Sequence, residues 1–150
     1  MSVDDRLKEL GIELPDAPAP AANYVPTVRT GNLLYVSGQV PIQNGALVTG
    51  QLGAGFSVED GQAAARLCAI SLIAQVKKAV GDLETVRVVK LNGFVNATGD
   101  FGEHPAVVNG ASDLMVEIFG EKGRHARSAV GSSSLPFGVA VEVEGIFEIA

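Results

Sequence analysis

Cysteine occurs once in the 150 residues, at Cys68. A single thiol rules out an internal disulfide and fits a reducing compartment, so a cytoplasmic location is expected. Histidine occurs only at His104 and His125, a spacing unlike that of metal ligands, and one cysteine cannot complete such a set, so no metal is expected. Basic residues are also few: 11 Lys and Arg against 17 Asp and Glu, a formal charge of −6. Among them only Lys77 and Lys78 are adjacent. Phosphate contacts supply much of the affinity for nucleic acid, so this scatter argues against such a partner. No apolar run reaches the roughly 18 residues that a membrane span requires. The opening of the chain carries Asp4, Asp5 and Glu9 where a targeting segment carries only positive charge. Neither a membrane partner nor a leader is expected.

What is present is a core-forming composition. Apolar residues make up 47% and charged residues 19%, which excludes a disordered chain. A chain of this length buries about 70% of its unfolded surface as one body. The spacing predicts a short helix after Ser2, with Leu7 and Leu10 apolar and Gly11 as the stop. A Pro/Ala connector follows over 14–22, too rich in proline to be helical. This gives a division into an N-terminal helix and connector, 1–21, and a main domain, 22–150.

Within the main domain, 24–29 and 33–37 read as a hairpin closed by Thr30, Gly31 and Asn32. A short third strand is expected over 46–49. Ser57, with Asp60 three residues on, caps a long helix whose apolar Leu67, Ile70, Ile73, Val76 and Val80 keep helical spacing up to Gly81. Residues 85–97 are β-branched and strand-like, and Pro105 opens a second long helix that ends near Gly120. In the last strand, 139–149, Val139, Val141, Val143, Phe147 and Ile149 share the core face. Glu142, Glu144, Ile146 and Glu148 share the other, so Glu142 points to solvent or to a partner subunit. The order predicts an α+β layer, a mixed β-sheet with two long helices on one face. A sheet face that mixes Ile146 with acids is suited to packing against copies of itself.

Arg127 opens one strand-like segment and Glu142 lies in the next. A guanidinium fork matches a carboxylate, and a carboxylate on a neighbouring strand can hold a water. The pair suggests a pocket for a small organic acid that undergoes hydrolysis. The competing readings are a structural ion pair between Arg127 and Glu142 or Glu144, and a solvated strand position for Glu142. Ser37 reads equally well as a strand-end hydroxyl bonded to backbone, and Tyr24 as a packing residue. Asn109 is out of place in a helix without a task. Cys68, among Leu67, Ile70 and Leu72, reads as an inert buried thiol. The glycines of 50–55 echo a phosphate loop but lack its Gly-Lys-Ser/Thr ending, so a turn or cleft-edge loop is expected.

Three blocks of residues resemble one family. Tyr24, Gly31, Asn32 and the stretch from Leu34 through Ser37 and Gly38 to Pro41 form the first, and Phe94 to Asn96 with Val108 and Asn109 the second. Ala126, Arg127 and Ser128, then Leu135, Pro136 and Val141 to Glu144, form the third. In order and spacing these resemble the Rid (reactive intermediate deaminase) family, also labelled endoribonuclease L-PSP or YjgF-like, over about 22–150. The resemblance implies a chorismate-mutase-like fold (bacillus type) and a homotrimer with a barrel-like core and clefts between subunits. It implies hydrolysis of 2-imino acids or their enamine tautomers to 2-keto acids and ammonia, with no cofactor. Arg127 would clamp the substrate carboxylate and Glu142 would orient the water. Tyr24, Ser37, Gly38, Asn109 and the backbone around Ala129 would line the cleft.

The chain also departs from the family pattern. The N-terminal helix and connector lie outside the usual core, His125 stands where Pro or Ala is common, and Ala129 replaces a frequent cysteine. His125 could border the cleft beside Arg127. These departures point to a longer-chain subgroup. The alternative function is a non-catalytic sensor that binds small carboxylic acids in the same cleft. A ribonuclease reading is disfavoured by the acidic balance, and a chorismate mutase reading by the shortage of convergent cations, with only Arg127, Arg124 and Arg29 as candidates.

Overall fold

The computed structural model describes Met1–Ala150. Helix α1, Val3–Glu9, is closed at its start by a reciprocal cap. The Ser2 hydroxyl accepts from the Asp5 N–H at 3.0 Å, and the Asp5 carboxylate accepts from the Ser2 N–H at 3.2 Å. The helix docks on the rest of the chain: Val3 and Leu7 are buried in the central apolar cluster, and Arg6 donates to the Ile118 carbonyl at 3.0 Å. The Val3 N–H also donates to the Glu84 carboxylate.

Strands β1, Thr27–Thr30, and β2, Leu33–Gln39, form the expected hairpin, with Gly31 at φ 58° in its turn. Pairing begins at Thr27 opposite Val36, so the strand starts three residues later than the sequence suggested. Pro26 has no N–H to give to a ladder, and only its carbonyl is used, by the Ser37 N–H at 2.9 Å. The short strand expected near 46 is one arm of a small separate ribbon, β3 Ile42–Gln43 with β4 Ala46–Leu47. Asn44 and Gly45, at φ 52° and 80°, close it, which is the turn that an Asn-Gly pair favours.

Helix α2, Val58–Val80, is capped by the Ser57 hydroxyl on the Asp60 N–H at 3.1 Å and stops at Gly81, φ 81°. Strand β5, Val86–Asn96, leads to α3, His104–Phe119, with Pro105 in its first turn. Strand β6 is Ala126–Ser132 and β7 is Val141–Ile149. The sequence placed Val139 and Ala140 inside β7. They precede it, buried, with the Ala140 N–H bonded to the Val48 carbonyl at 3.1 Å.

The sheet order is β1-β2-β7-β5-β6, with β5 and β6 parallel and every other pair antiparallel. Helices α2 and α3 cover one face, as the α+β reading expected, and bury Val88, Leu91, Val95, Val143 and Phe147 beneath them. Tyr35, Asn92, Phe94, Val130, Glu142, Glu144 and Ile146 lie on the uncovered face, where Val28, Tyr35 and Val130 are exposed. No helix is long and apolar enough to cross a membrane.

The two helices touch backbone to backbone. A Cβ built on Gly110 of α3 would overlap the Gln62 carbonyl of α2, whose own side chain donates to the Ala106 carbonyl at 2.9 Å. Neither backbone can move aside by changing a rotamer. Gly110→Ala is therefore expected to lower stability by about 1–3 kcal/mol through overpacking, read as a lower urea midpoint at unchanged slope. An unchanged midpoint would show that the helices separate freely.

Candidate functional site

The residues singled out in the sequence fall into two groups on opposite sides of the sheet. Strands β6 and β7 are neighbours in sequence, but β5 runs between them. Arg127 pairs with Leu91 of β5, a buried residue of the helix-covered face, whereas Glu142 pairs with Phe94 of the uncovered face. Paired residues share a face. The expectation that Arg127 and Glu142 occupy neighbouring strands is thus corrected, and one protomer does not bring them together.

Arg127 reaches over the edge of the sheet to α3. Its Nη1 donates to the Asn109 side-chain oxygen at 2.7 Å and to the Ser112 hydroxyl at 3.2 Å, and its Nη2 donates to the Pro105 carbonyl at 3.4 Å. All three acceptors are neutral, and no acid forms a salt bridge with Arg127. The structural ion pair is absent and the positive charge is uncompensated. Asn109 thereby has its task in the helix. Ser112, one turn further along the same face of α3, was missed in the sequence, although its spacing of three from Asn109 is the signal that could have found it.

His125 extends this network. Its Nδ1 lies 2.6 Å from the Gly123 carbonyl, which can only accept, so Nδ1 carries a proton. Its Nε2 lies 2.9 Å from the Ser112 hydroxyl. Arg127, Ser112, Arg124 and His125 surround a shallow hollow of about 250 Å³. Ala129, two residues beyond Arg127 on the same face, packs against the core.

Glu142 belongs to a different space. A cavity of about 390 Å³ is lined by Glu142, Gly38, Tyr24, Gln39 and Gln75, by Phe137, and by Pro18–Ala22 of the connector. No protein donor bonds the Glu142 carboxylate, whereas Glu144 is held by the Asn92 amide at 3.1 Å. Burial first, and the neighbouring Glu144 carboxylate second, raise the pKa of Glu142 above the usual glutamate value. Gly38 is where it is for steric reasons: a Cβ there would run into the Glu142 carboxyl group. The Ser37 hydroxyl donates to the Val25 carbonyl at 2.8 Å, and the Tyr24 hydroxyl accepts from the Ala21 N–H at 3.3 Å.

Other candidates resolve into structure. Cys68 is fully buried with its Sγ 3.6 Å from the Val141 carbonyl, and burial pushes its thiol pKa well up. In the glycine-rich 50–55 segment, Leu52 is bonded through its N–H to the Asn96 carbonyl and through its carbonyl to the Thr98 N–H. No group of three or more His, Cys, Asp or Glu side chains is placed to hold a metal ion.

Comparison with known proteins places nearly the whole chain in one family. A family model described as "YjgF/chorismate_mutase-like, putative endoribonuclease" matches residues 4–146. The Trypanosoma cruzi protein TCP17 is 56% identical over 95% of this chain and 91% of its own. A 2-iminobutanoate/2-iminopropanoate deaminase of Dermatophagoides farinae is 33% identical over 92% of this chain and 94% of its own. A crystal structure of a protein of unknown function from Agrobacterium tumefaciens superposes with a TM-score of 0.92 at 52% identity, covering 99% of this chain and 92% of that one.

The raised pKa of Glu142 has a consequence for stability with a definite sign. A carboxyl whose folded pKa exceeds its unfolded value favours the folded state below the unfolded pKa and loses that contribution as pH rises through the folded pKa. At neutral pH Glu142 is therefore a burden on folding relative to acid. Glu142→Gln is expected to melt at a higher temperature than wild type at pH 7, with the gain vanishing once the pH falls below the ordinary glutamate range. Thermal melts of both proteins across that range check it; a gain that persists in acid would contradict the assignment.

Proposed function

The chain belongs to the YjgF/chorismate-mutase-like family, and on that premise we propose that it hydrolyses 2-imino acids, or their enamine tautomers, to 2-keto acids and ammonia. The observation that carries the reading is the pairing of two incomplete half-sites: an arginine with no acid partner and a half-buried glutamate with no donor. Each supplies what the other lacks if a second copy of the chain brings its Arg127 to the mouth of the Glu142 cavity. A closed ring of three copies repeats that contact three times.

The chemistry needs little more. The guanidinium holds the substrate carboxylate by two parallel charge-assisted hydrogen bonds and so fixes C2 of the protonated imine. Glu142, ionised, accepts a proton from a water as its oxygen bonds to C2 and the C=N π electrons move to nitrogen. The carbinolamine nitrogen then takes that proton back from Glu142, and ammonia leaves as the hydroxyl gives its own proton to the carboxylate and C=O forms. Burial raises the Glu142 pKa and so makes its carboxylate a stronger base. Tyr24 and Gly38 border the reacting centre, with Asn109 aiming the guanidinium. Ser37 and Ala129 shape the strand backbone on either side.

Arg127→Ala is expected to lower kcat/KM for imines made by oxidising amino acids by about 10- to 100-fold, the range for losing a charged hydrogen bond. Glu142→Gln should lower kcat by on the order of 10²–10⁴ while the 2-keto acid still binds. Binding of keto acids with no acceleration by the wild type would instead indicate a sensor.

Mixing the two variants tests where the halves come from. Each variant chain keeps one half-site, so only a site shared between chains regains both. Reassembly of equal amounts into closed rings of three should restore about a quarter of wild-type activity. No recovery in verified mixed assemblies would place both residues in one chain and overturn the shared site.

A further inference from the structure

The connector over 14–22 is held as a wall of the Glu142 cavity. Gln75, 2% exposed on α2, donates through Nε2 to the Pro18 carbonyl at 2.7 Å and lies 3.4 Å from the Gln39 side-chain oxygen. Gln39 in turn donates to the Ser37 carbonyl at 3.0 Å, inside the irregular stretch of β2 that carries Gly38. Upstream, buried Val3 and Leu7 and the Arg6 bond to Ile118 fix the start of the segment. A proline-rich segment fixed at its start and held in its middle at Pro18 loses little entropy when a guest binds against it.

The lining is one-sided in its chemistry. Four prolines, three alanines, Val40, Ile42 and Phe137 form most of it, and Glu142 is its only charged residue. The volume, about 390 Å³, lies in the range of small-ligand sites. Phe137 also lines the cavity and is 70% exposed, at φ 60° and ψ 14°. That backbone region is unfavourable for a bulky side chain, and strain of this kind persists where surrounding structure imposes it.

We infer that the connector and Phe137 form an apolar subsite beside Glu142 that selects 2-imino acids with larger, branched or aromatic hydrocarbon side chains over the methyl and ethyl compounds. The inference rests on the function proposed above and names the substrate class of that same site. A small side chain leaves this wall uncovered, whereas an isobutyl or benzyl group removes its apolar surface from water. Each buried methylene is worth about fourfold in the specificity ratio.

The test compares the imines of leucine and alanine, generated in situ by an amino acid oxidase, with wild type, Ala22→Leu and Phe137→Ala. The expected result is a kcat/KM ratio in wild type of at least about tenfold in favour of leucine. That ratio should fall severalfold in both variants, in Ala22→Leu because the subsite is filled and in Phe137→Ala because part of its apolar lining is lost. A wild-type ratio at or below one, or a ratio unmoved by either variant, overturns the subsite while leaving imine hydrolysis standing. Binding of 4-methyl-2-oxopentanoate and pyruvate, followed by NMR titration, separates the two ideas from the other side. Preference for the branched acid without turnover supports the subsite and sinks the hydrolase; binding of neither, or of pyruvate preferentially, overturns the subsite.

Discussion

A strand shows successive side chains to opposite faces, and this one constraint organises the protein. The helix-covered face of the sheet takes the core and, at its open edge, Arg127. The uncovered face takes Glu142. With β5 between them, the two groups are separated by both a strand and the thickness of the sheet. Neither can therefore neutralise the other. The arginine is held by neutral oxygens of α3 and the glutamate lines a largely apolar cavity, so the charge of each stays unpaired within the protomer. Within a single protomer a direct ion pair would have cancelled it.

The same geometry explains which of the two adjacent strand acids is available. Glu142 and Glu144 point the same way from β7, yet Asn92 holds Glu144, while Gly38 leaves room for the Glu142 carboxyl to lie against β2 without a donor. Desolvation without compensation raises a carboxyl pKa and costs stability. A residue kept at such a cost is a natural candidate for function. The cost is tolerable because it falls next to a core of 30 buried apolar residues that holds the strand in place.

The N-terminal segment has two physical roles at once. Its helix adds Val3 and Leu7 to the core, and its proline-rich connector encloses the Glu142 cavity. Gln75 links these roles, since it projects from the middle of α2 and holds the connector carbonyl. The segment that sequence reasoning divided from the main domain therefore contributes to the walls of the candidate site.

Local chemistry determined most of the elements. Ser2 and Ser57 as caps, Gly81 as a stop, Pro105 in a first turn and the alternation along β7 are signals carried by a few neighbouring residues, and each element formed where they placed it. The Asn44–Gly45 turn was equally legible, though the sequence reading credited only one of its two strands. Boundaries shifted by up to three residues, at Pro26 and Val139, because a strand ends where its partner's hydrogen bonds end. Arg127, Glu142, Gly38 and Asn109 were legible as candidates from their chemistry and their resemblance to a known pattern. Strand order, the face Arg127 occupies, the hold of Asn109 and Ser112 on it, and the closing of the connector over the cavity were decided only in three dimensions. All depend on hydrogen bonds and packing between segments far apart in the chain, and no local periodicity encodes those.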